Sequence, residues 1–416
     1  MSKLDKSNLI SRRTVLGTAA AGAATLAMPG YLRAQSGPIQ IGHLTPLTGF
    51  LGVMGEWASL GVQLAAEEIN AAGGVLGRQV DVQTEDSINP ENAATKAQRM
   101  IERDNKDVIL GEISSASTLA IGQVAERNKK LFIATGPRSD VLRGESCNRY
   151  MFCTDIPNTV NVNVVGESLK RDNMVDGRKF FTLTADYVFG HDLLEAAERF
   201  FEANNAELVG NELIATDLTD FSPFILKIRQ AQPDVVCLNL AGNQVPNFAK
   251  QYAEFGLPFP TVGFGFNTVD GWAAGPGNIT GTWPAVWYHT LDVPASLEFV
   301  ERFRAKFGKT PENHAWIDYI AMKILAKAME ETQSVDNEEL VDYLASGAEF
   351  DILKNRKAYF RDWDHQLIQE AYTVTARDPD EVSDVLELME LGQAVPGPDQ
   401  DLTLIYPTRE QSGCSL

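Results

Sequence analysis

From residue 38 onward, short apolar runs of strand length alternate with stretches whose apolar residues recur at helical spacing, and this alternation narrows the fold more than any other feature. Residues 39–44 read as a strand. Residues 56–70 read as a helix carrying Trp57, Leu60, Leu64, Ala65 and Ile69 on one face, and it stops at Ala71-Ala72-Gly73-Gly74. Strands over 80–84, 108–111 and 131–135 then alternate with helices over 90–105, opened by Pro90, and 115–128, opened by serines. A βαβα order implies a parallel sheet covered on both faces. A second cycle begins near Pro157, with strands over 179–185, 206–214, 234–240 and 260–266 and helices over 190–203, 221–230 and 244–255. Two successive units of similar size predict two lobes of one α/β architecture. Helices are expected over 295–307, 312–331 and 335–345, and a pair of strands near 357–360 and 369–375. The acidic segment 378–416 has weak periodicity and reads as a tail laid over a lobe.

Composition bounds the function. The chain has 416 residues, 44% of them hydrophobic, enough for one large or two medium domains. A formal net charge of -20 disfavours any partner bound through phosphate neutralisation, so nucleic acid is excluded as the main partner. Four cysteines, none in CxxC pairs, argue against a zinc module or a disulfide scaffold.

The stretch Ser11-Arg12-Arg13-Thr14-Val15-Leu16-Gly17, the Ala/Gly-rich run 18–28 and the small residue Ala34 resemble a twin-arginine export signal, residues 1–34, cleaved after Ala34. The run is too short and glycine-rich for a permanent anchor, so no direct membrane insertion is expected. Export to an oxidising compartment leaves Cys147 and Cys153 readable either as a local disulfide or as two free thiols in a loop. Cys237 reads as a buried strand residue, and Cys414 lies in the polar tail.

Catalytic patterns are missing: the sequence has no G-x-S-x-G elbow, no G-x-x-x-x-G-K-[ST] phosphate loop, no H-E-x-x-H pair and no G-x-G-x-x-G after a strand. His43, His191, His289, His314 and His365 share no spacing and read as surface or structural residues. No enzyme activity, metal or cofactor is implied.

The opening Ile41-Gly42-His43-Leu44-Thr45-Pro46-Leu47-Thr48-Gly49, followed by the run from Gly61 through Glu67-Glu68-Ile69-Asn70-Ala71-Ala72-Gly73-Gly74 to Gly77, resembles periplasmic solute-binding proteins of the leucine/isoleucine/valine type. Asp86 with Pro90 and Ala94, residues 111–118, Asp186-Tyr187-Val188-Phe189-Gly190 and Asp220-Phe221-Ser222 continue the match across about residues 38–376. The resemblance implies the type I periplasmic-binding fold: two Rossmann-like doubly wound lobes joined by a three-crossing hinge. The crossings fall near Asn158, Trp287 and Phe360, giving lobe 1 as 35–158 and 287–360, and lobe 2 as 159–286 and 361–377. It also implies the work of such proteins: trapping a small-molecule solute in the interlobe cleft and delivering it to the membrane permease of an ABC importer driven by a separate ATPase, in the periplasm. A ligand-sensing receptor module of the same fold is the alternative.

Candidate contacts follow from motif positions. Ser114, Ser115 and Ser117 open a helix after a strand, a place for an anion or for plain capping, and Ser115 matches the family's carboxylate contact. Gly136 matches a backbone contact. Arg138 stands where amino-acid binders carry a small hydroxyl residue, and either grips a carboxylate or is a solvated loop arginine. The glutamate that holds a ligand ammonium in those binders is Gly265 here, and an expected tyrosine is Ala241. Both departures weaken an amino-acid assignment, with Asp186 and Asp270 as possible substitutes. Trp57, Tyr187, Phe189, Phe264 and Phe266 offer aromatic cleft walls or core packing. The expected solute is an amino acid or a related small organic carboxylate, aromatic ones among them.

Overall fold

The computed structural model describes residues 37–416, so the export signal expected over 1–34 lies outside the described residues. In lobe 1, β1 (Ile39–Thr45), α1 (Gly52–Ala71), β2 (Val80–Asp86), α2 (Pro90–Glu102), β3 (Val108–Gly111), α3 (Ser115–Asn128), β4 (Phe132–Ala134) and β5 (Met151–Cys153) follow one another. The strands pair in parallel in the order β2-β1-β3-β4-β5, their residues buried on both faces in the middle of the sheet. Lobe 2 repeats the scheme with α4 (Asn158–Arg171), β6 (Lys179–Ala185), α5 (Val188–Ala203), β7 (Glu207–Ile214), α6 (Ser222–Ala231), β8 (Val235–Asn239), α7 (Gln244–Phe255), β9 (Thr261–Gly263) and α8 (Thr268–Ala274). Its parallel order is β7-β6-β8-β9.

After β10 (Thr282–Ala285) the chain returns to lobe 1 with α9 (Pro294–Phe307), α10 (Asn313–Thr332) and α11 (Asn337–Leu344). Helix α10 lies so close to α1 that a Cβ on Gly61 would sit 2.0 Å from the Ala315 carbonyl oxygen, which is why glycine is needed there. His43 on β1 ties the same helix to the sheet: its Nε2 lies 3.1 Å from Asp318 Oδ1, both fully buried, and its Nδ1 3.0 Å from Oγ1 of half-buried Thr84.

Strands β11 (Glu349–Phe350), β12 (Ala358–Phe360) and β13 (Leu367–Ile368) form a small antiparallel sheet, and Gln366 bridges to Cys153 at the edge of the lobe 1 sheet. β14 (Ala371–Ala376) pairs with β10 and with β15 (Met389–Val395) against lobe 2. Segment 378–416 is thus partly a strand, which its short, mixed pattern hid. β13 pairs with β12 whereas β14 pairs with β10, so the chain passes from one of these sheets to the other at residues 369–370. The segments after β5 and after β13 are bound together by Gln369 Nε2 donating to the Thr154 carbonyl at 2.6 Å and Gln366 Nε2 to that of Asp155 at 3.0 Å.

The candidate Cys147–Cys153 bridge does not form, and only Cys153 is the free thiol of the alternative reading. Cys147 is bonded to Cys414, with Cα atoms 5.8 Å apart, while Cys153 is a free, buried thiol. The reason is that Cys153 ends a strand and packs among Leu142, Ile121 and Ala134, whereas the C-terminal segment folds back on residues 143–147, Ser412 Oγ donating to the Arg143 carbonyl at 2.6 Å.

Candidate functional site

Strand ends dictate where a site can form. Parallel strands of both sheets end toward a shared crevice, where the loops after them carry the chemistry. There a small cavity of about 20 Å³ is lined by Gly136 and Arg138 after β4, Tyr187 and Phe189 after β6, Ala241 after β8, and Gly265 and Phe266 after β9. Seven of the residues expected from the sequence meet in one wall. A space this size holds about one water-sized molecule, so an organic solute enters only as side chains or lobes part. A Cβ on Gly265 would come within 2.9 Å of Phe189 Cζ and 3.0 Å of the Leu240 carbonyl oxygen, leaving no room for a glutamate there.

Arg138 is buried, so it is no solvated loop arginine. Its Nε donates to Asp155 Oδ2 at 2.8 Å and its Nη1 to the Phe266 carbonyl at 2.8 Å, the second bond running from lobe 1 to lobe 2. Other bonds join the lobes beside the cavity: Asn243 N–H to the Phe50 carbonyl at 3.2 Å, and Thr268 N–H to Asn313 Oδ1 at 3.1 Å. The Phe50 and Tyr187 rings meet edge to face, 5.5 Å apart.

Of the two readings of the serine cluster, capping is the one visible in the structure. Ser114 caps α3, its Oγ accepting the Ser117 N–H at 3.4 Å. Ser115 is not in the cavity wall; its Oγ accepts the Ser139 N–H at 3.3 Å and so steadies the Arg138 loop. The place ahead of the helix is filled by a residue the sequence reading missed. Glu112, fully buried at the end of β3, accepts the N–H groups of Ile113 at 2.9 Å and Ser114 at 2.8 Å, and burial pushes its carboxyl up to about 7. Trp57 is also outside the cavity: it packs between Trp272 and Phe303, with Lys309 over its ring. Phe264 is buried among Phe200 and Phe201 in the lobe 2 core.

Of the two acidic substitutes considered, Asp186 is half-exposed and pairs with His191 at 2.8 Å. Asp270 is buried, accepts from Asn267 Nδ2 at 3.0 Å, and is pushed up to about 7 by burial; it is not in the cavity wall. His314, read from the sequence as structural, does line the cavity. It was hidden because Glu312-Asn313-His314 carries no spacing signal beyond that of a helix start. Its Nδ1 lies 3.2 Å from Glu312 Oε2, and Glu312 also caps α10 by accepting the His314 N–H at 2.7 Å. Burial works against the imidazolium, but the Glu312 carboxylate outweighs it and the His314 pKa is raised.

A larger groove of about 1170 Å³ lies elsewhere, between α4, α5 and residues 403–413; it shares no residue with the cavity, and its walls mix acidic and basic groups. Among the described residues no group of His, Cys, Asp and Glu could hold a metal ion, and no helix is long and apolar enough to cross a membrane.

Comparison with known proteins agrees with this geometry. A Leu/Ile/Val-binding protein homolog from Brucella abortus is 26% identical over 325 residues, covering 73% of this chain and 79% of the relative. A crystal structure of a periplasmic binding protein from Burkholderia mallei superposes with a TM-score of 0.83 at 25% identity, covering 91% of this chain and 99% of that one. A solute-binding protein of an ABC transporter from R. palustris, in complex with benzoate, shares the fold with a TM-score of 0.78 at 21% identity, covering 91% and 100%. The periplasmic binding protein family profile matches residues 38–381, and the chain belongs to that family.

Proposed function

We propose that this chain is the extracytoplasmic solute-binding protein of an ABC importer, capturing a small organic carboxylate, aromatic ones among them, between its lobes. The observation that carries the solute class is the cavity wall. It offers the Arg138 guanidinium and the aromatic rings of Tyr187, Phe189 and Phe266, and none of its described lining residues is acidic. A carboxylate gains a charge-assisted bond there, whereas an α-ammonium finds no counter-charge and is costly to bury. The R. palustris neighbour, bound to benzoate, supports the same class.

Capture requires differential binding. A solute stabilises the closed form only by touching both lobes, which Arg138 and Phe266 permit from opposite sides. The protein then hands the solute to a membrane permease energised by its own ATPase, and it reaches the periplasm through a twin-arginine signal over residues 1–34.

A thermal-shift screen of benzoate, phenylacetate, short-chain acids and leucine tests the reading. A ligand at one hundred times its Kd stabilises the folded state by about 2.7 kcal/mol. Aromatic carboxylates are expected to raise the Tm and leucine to leave it unchanged; a shift with leucine alone would overturn the carboxylate reading.

A further inference from the structure

Resting on the reading of this cavity as the solute site, we propose that His314 is a second anion-binding group in it, donating from Nε2 to the solute carboxylate beside Arg138. Nearly all of the His314 side chain is buried, and its ring lines the cavity against Gly136, whose added Cβ would lie 3.2 Å from Cδ2. Glu312 Oε2, which can only accept, lies 3.2 Å from Nδ1, so Nδ1 carries its proton toward Glu312; the Asn313 amide nitrogen at 3.3 Å is itself a donor and does not bond a protonated Nδ1, and Nε2 has no protein partner. Arg138 is in the same state: Nε and Nη1 are held by Asp155 and Phe266, and Nη2 is left without a protein partner. Two cationic donors on lobe 1 thus face one small space, while lobe 2 closes it with Tyr187, Phe189 and Phe266.

The charged groups that bear on His314 are Glu312 on its own helix, Arg138 and Asp155 from the loops of lobe 1, and Asp270 from α8. Glu312 and Asp155 favour the imidazolium, as does ionised Asp270, and Arg138 opposes it. A carboxylate ligand adds a third negative partner and favours it further. The same carboxylate therefore binds best when His314 is protonated and loses a charge-assisted bond as the ring is titrated.

The test is calorimetric titration of the full chain with benzoate at pH 6 and pH 8.5, for wild type, His314→Gln, Glu312→Gln and Asp270→Asn. The proposal expects wild-type affinity to fall about 10-fold between the two pH values, the scale of one charge-assisted hydrogen bond. His314→Gln should bind about 10-fold more weakly at pH 6 and lose the pH slope. Glu312→Gln keeps an oxygen to cap α10 and should move the slope to lower pH, even if His314→Gln folds poorly. Equal wild-type affinity at both pH values, unchanged affinity in His314→Gln, or a slope that survives there but vanishes in Asp270→Asn would each overturn the assignment. If benzoate does not bind the wild type at all, the solute class proposed above fails and this inference fails with it; if benzoate binds and His314→Gln is unaffected, this inference alone fails.

Discussion

Arg138 Nη1 donates to the Phe266 carbonyl at 2.8 Å, a charge-assisted bond from a loop of lobe 1 to a loop of lobe 2 at the edge of the cavity. One guanidinium therefore reaches Asp155, the opposite lobe and the cavity together. Lysine's three donors radiate from one nitrogen and cannot span all three partners. Arg138→Lys is expected to weaken benzoate binding about 10-fold or more, the worth of a lost charge-assisted bond, and to shift small-angle scattering toward a more open particle. Unchanged affinity and radius would remove Arg138 from both roles.

Gly265 is packed against Phe189 and the Leu240 carbonyl, so restoring the glutamate of amino-acid binders there does not restore their chemistry. Gly265→Glu should destabilise the protein by about 1–3 kcal/mol through overpacking and bring no leucine binding. Chemical denaturation and calorimetry check both halves; a stable variant that binds leucine would show that the β9 loop has room to spare.

Glu112 has a folded-state pKa raised from 4.5 to about 7 by burial. A raised value means the folded state holds the proton more tightly than the unfolded chain does. That stabilisation is full below about pH 4.5 and is lost as pH rises through 7. Glutamine retains an oxygen for the Ile113 and Ser114 N–H groups without the charge. Glu112→Gln is expected to melt close to wild type at pH 5 and above it at pH 8. A gap that does not change with pH would mean that the carboxylate is ionised throughout.

The two-lobe fold was legible because buried parallel strands and amphipathic helices leave long, regular patterns, as in 39–44 and 244–255. Strands β5 and β10, three and four residues long, are too short for any period to register, and β15 sits in a polar context. Cavity residues were legible where a motif follows a strand, as at Gly136 and Tyr187. His314 in the cavity wall was not, nor was Glu112 buried ahead of α3: a histidine at a helix start, or a lone acid after a glycine, looks the same in sequence whether it is buried or faces solvent. Cys414 pairs with Cys147 across a separation of 267 residues, and nothing local announces such a partner.

That long separation gives the disulfide its expected weight, since closing a large loop constrains the unfolded chain strongly. Cys414→Ser should lower stability by about 2–4 kcal/mol, Cys147→Ser by the same amount, and the double variant by no more than either single one. Non-reducing peptide mapping should recover a Cys147–Cys414 pair, with Cys153 alkylated only after unfolding. Additive losses in the double variant would contradict the pairing.

Lys354 places a buried amine beside the link from β13 to β14, its Nζ donating to Gln369 Oε1 at 2.8 Å and to the Glu370 carbonyl at 2.7 Å, over the rings of Trp316 and Tyr372. Burial lowers its pKa from 10.5 to about 7. Between those values the unfolded chain binds the proton and the folded one does not, so this group makes stability rise with pH from about 7 toward 10.5. Lys354→Met keeps the volume and the contact with both rings but removes the titration, and it leaves two buried acceptors unpaired at about 1–3 kcal/mol each. Urea unfolding at pH 7 and pH 9.5 should therefore show the wild type ahead of Lys354→Met by a margin that widens at the higher pH. A margin that stays constant would place a charged ammonium beside that link at both pH values, held by its carbonyl partners and the two aromatic faces.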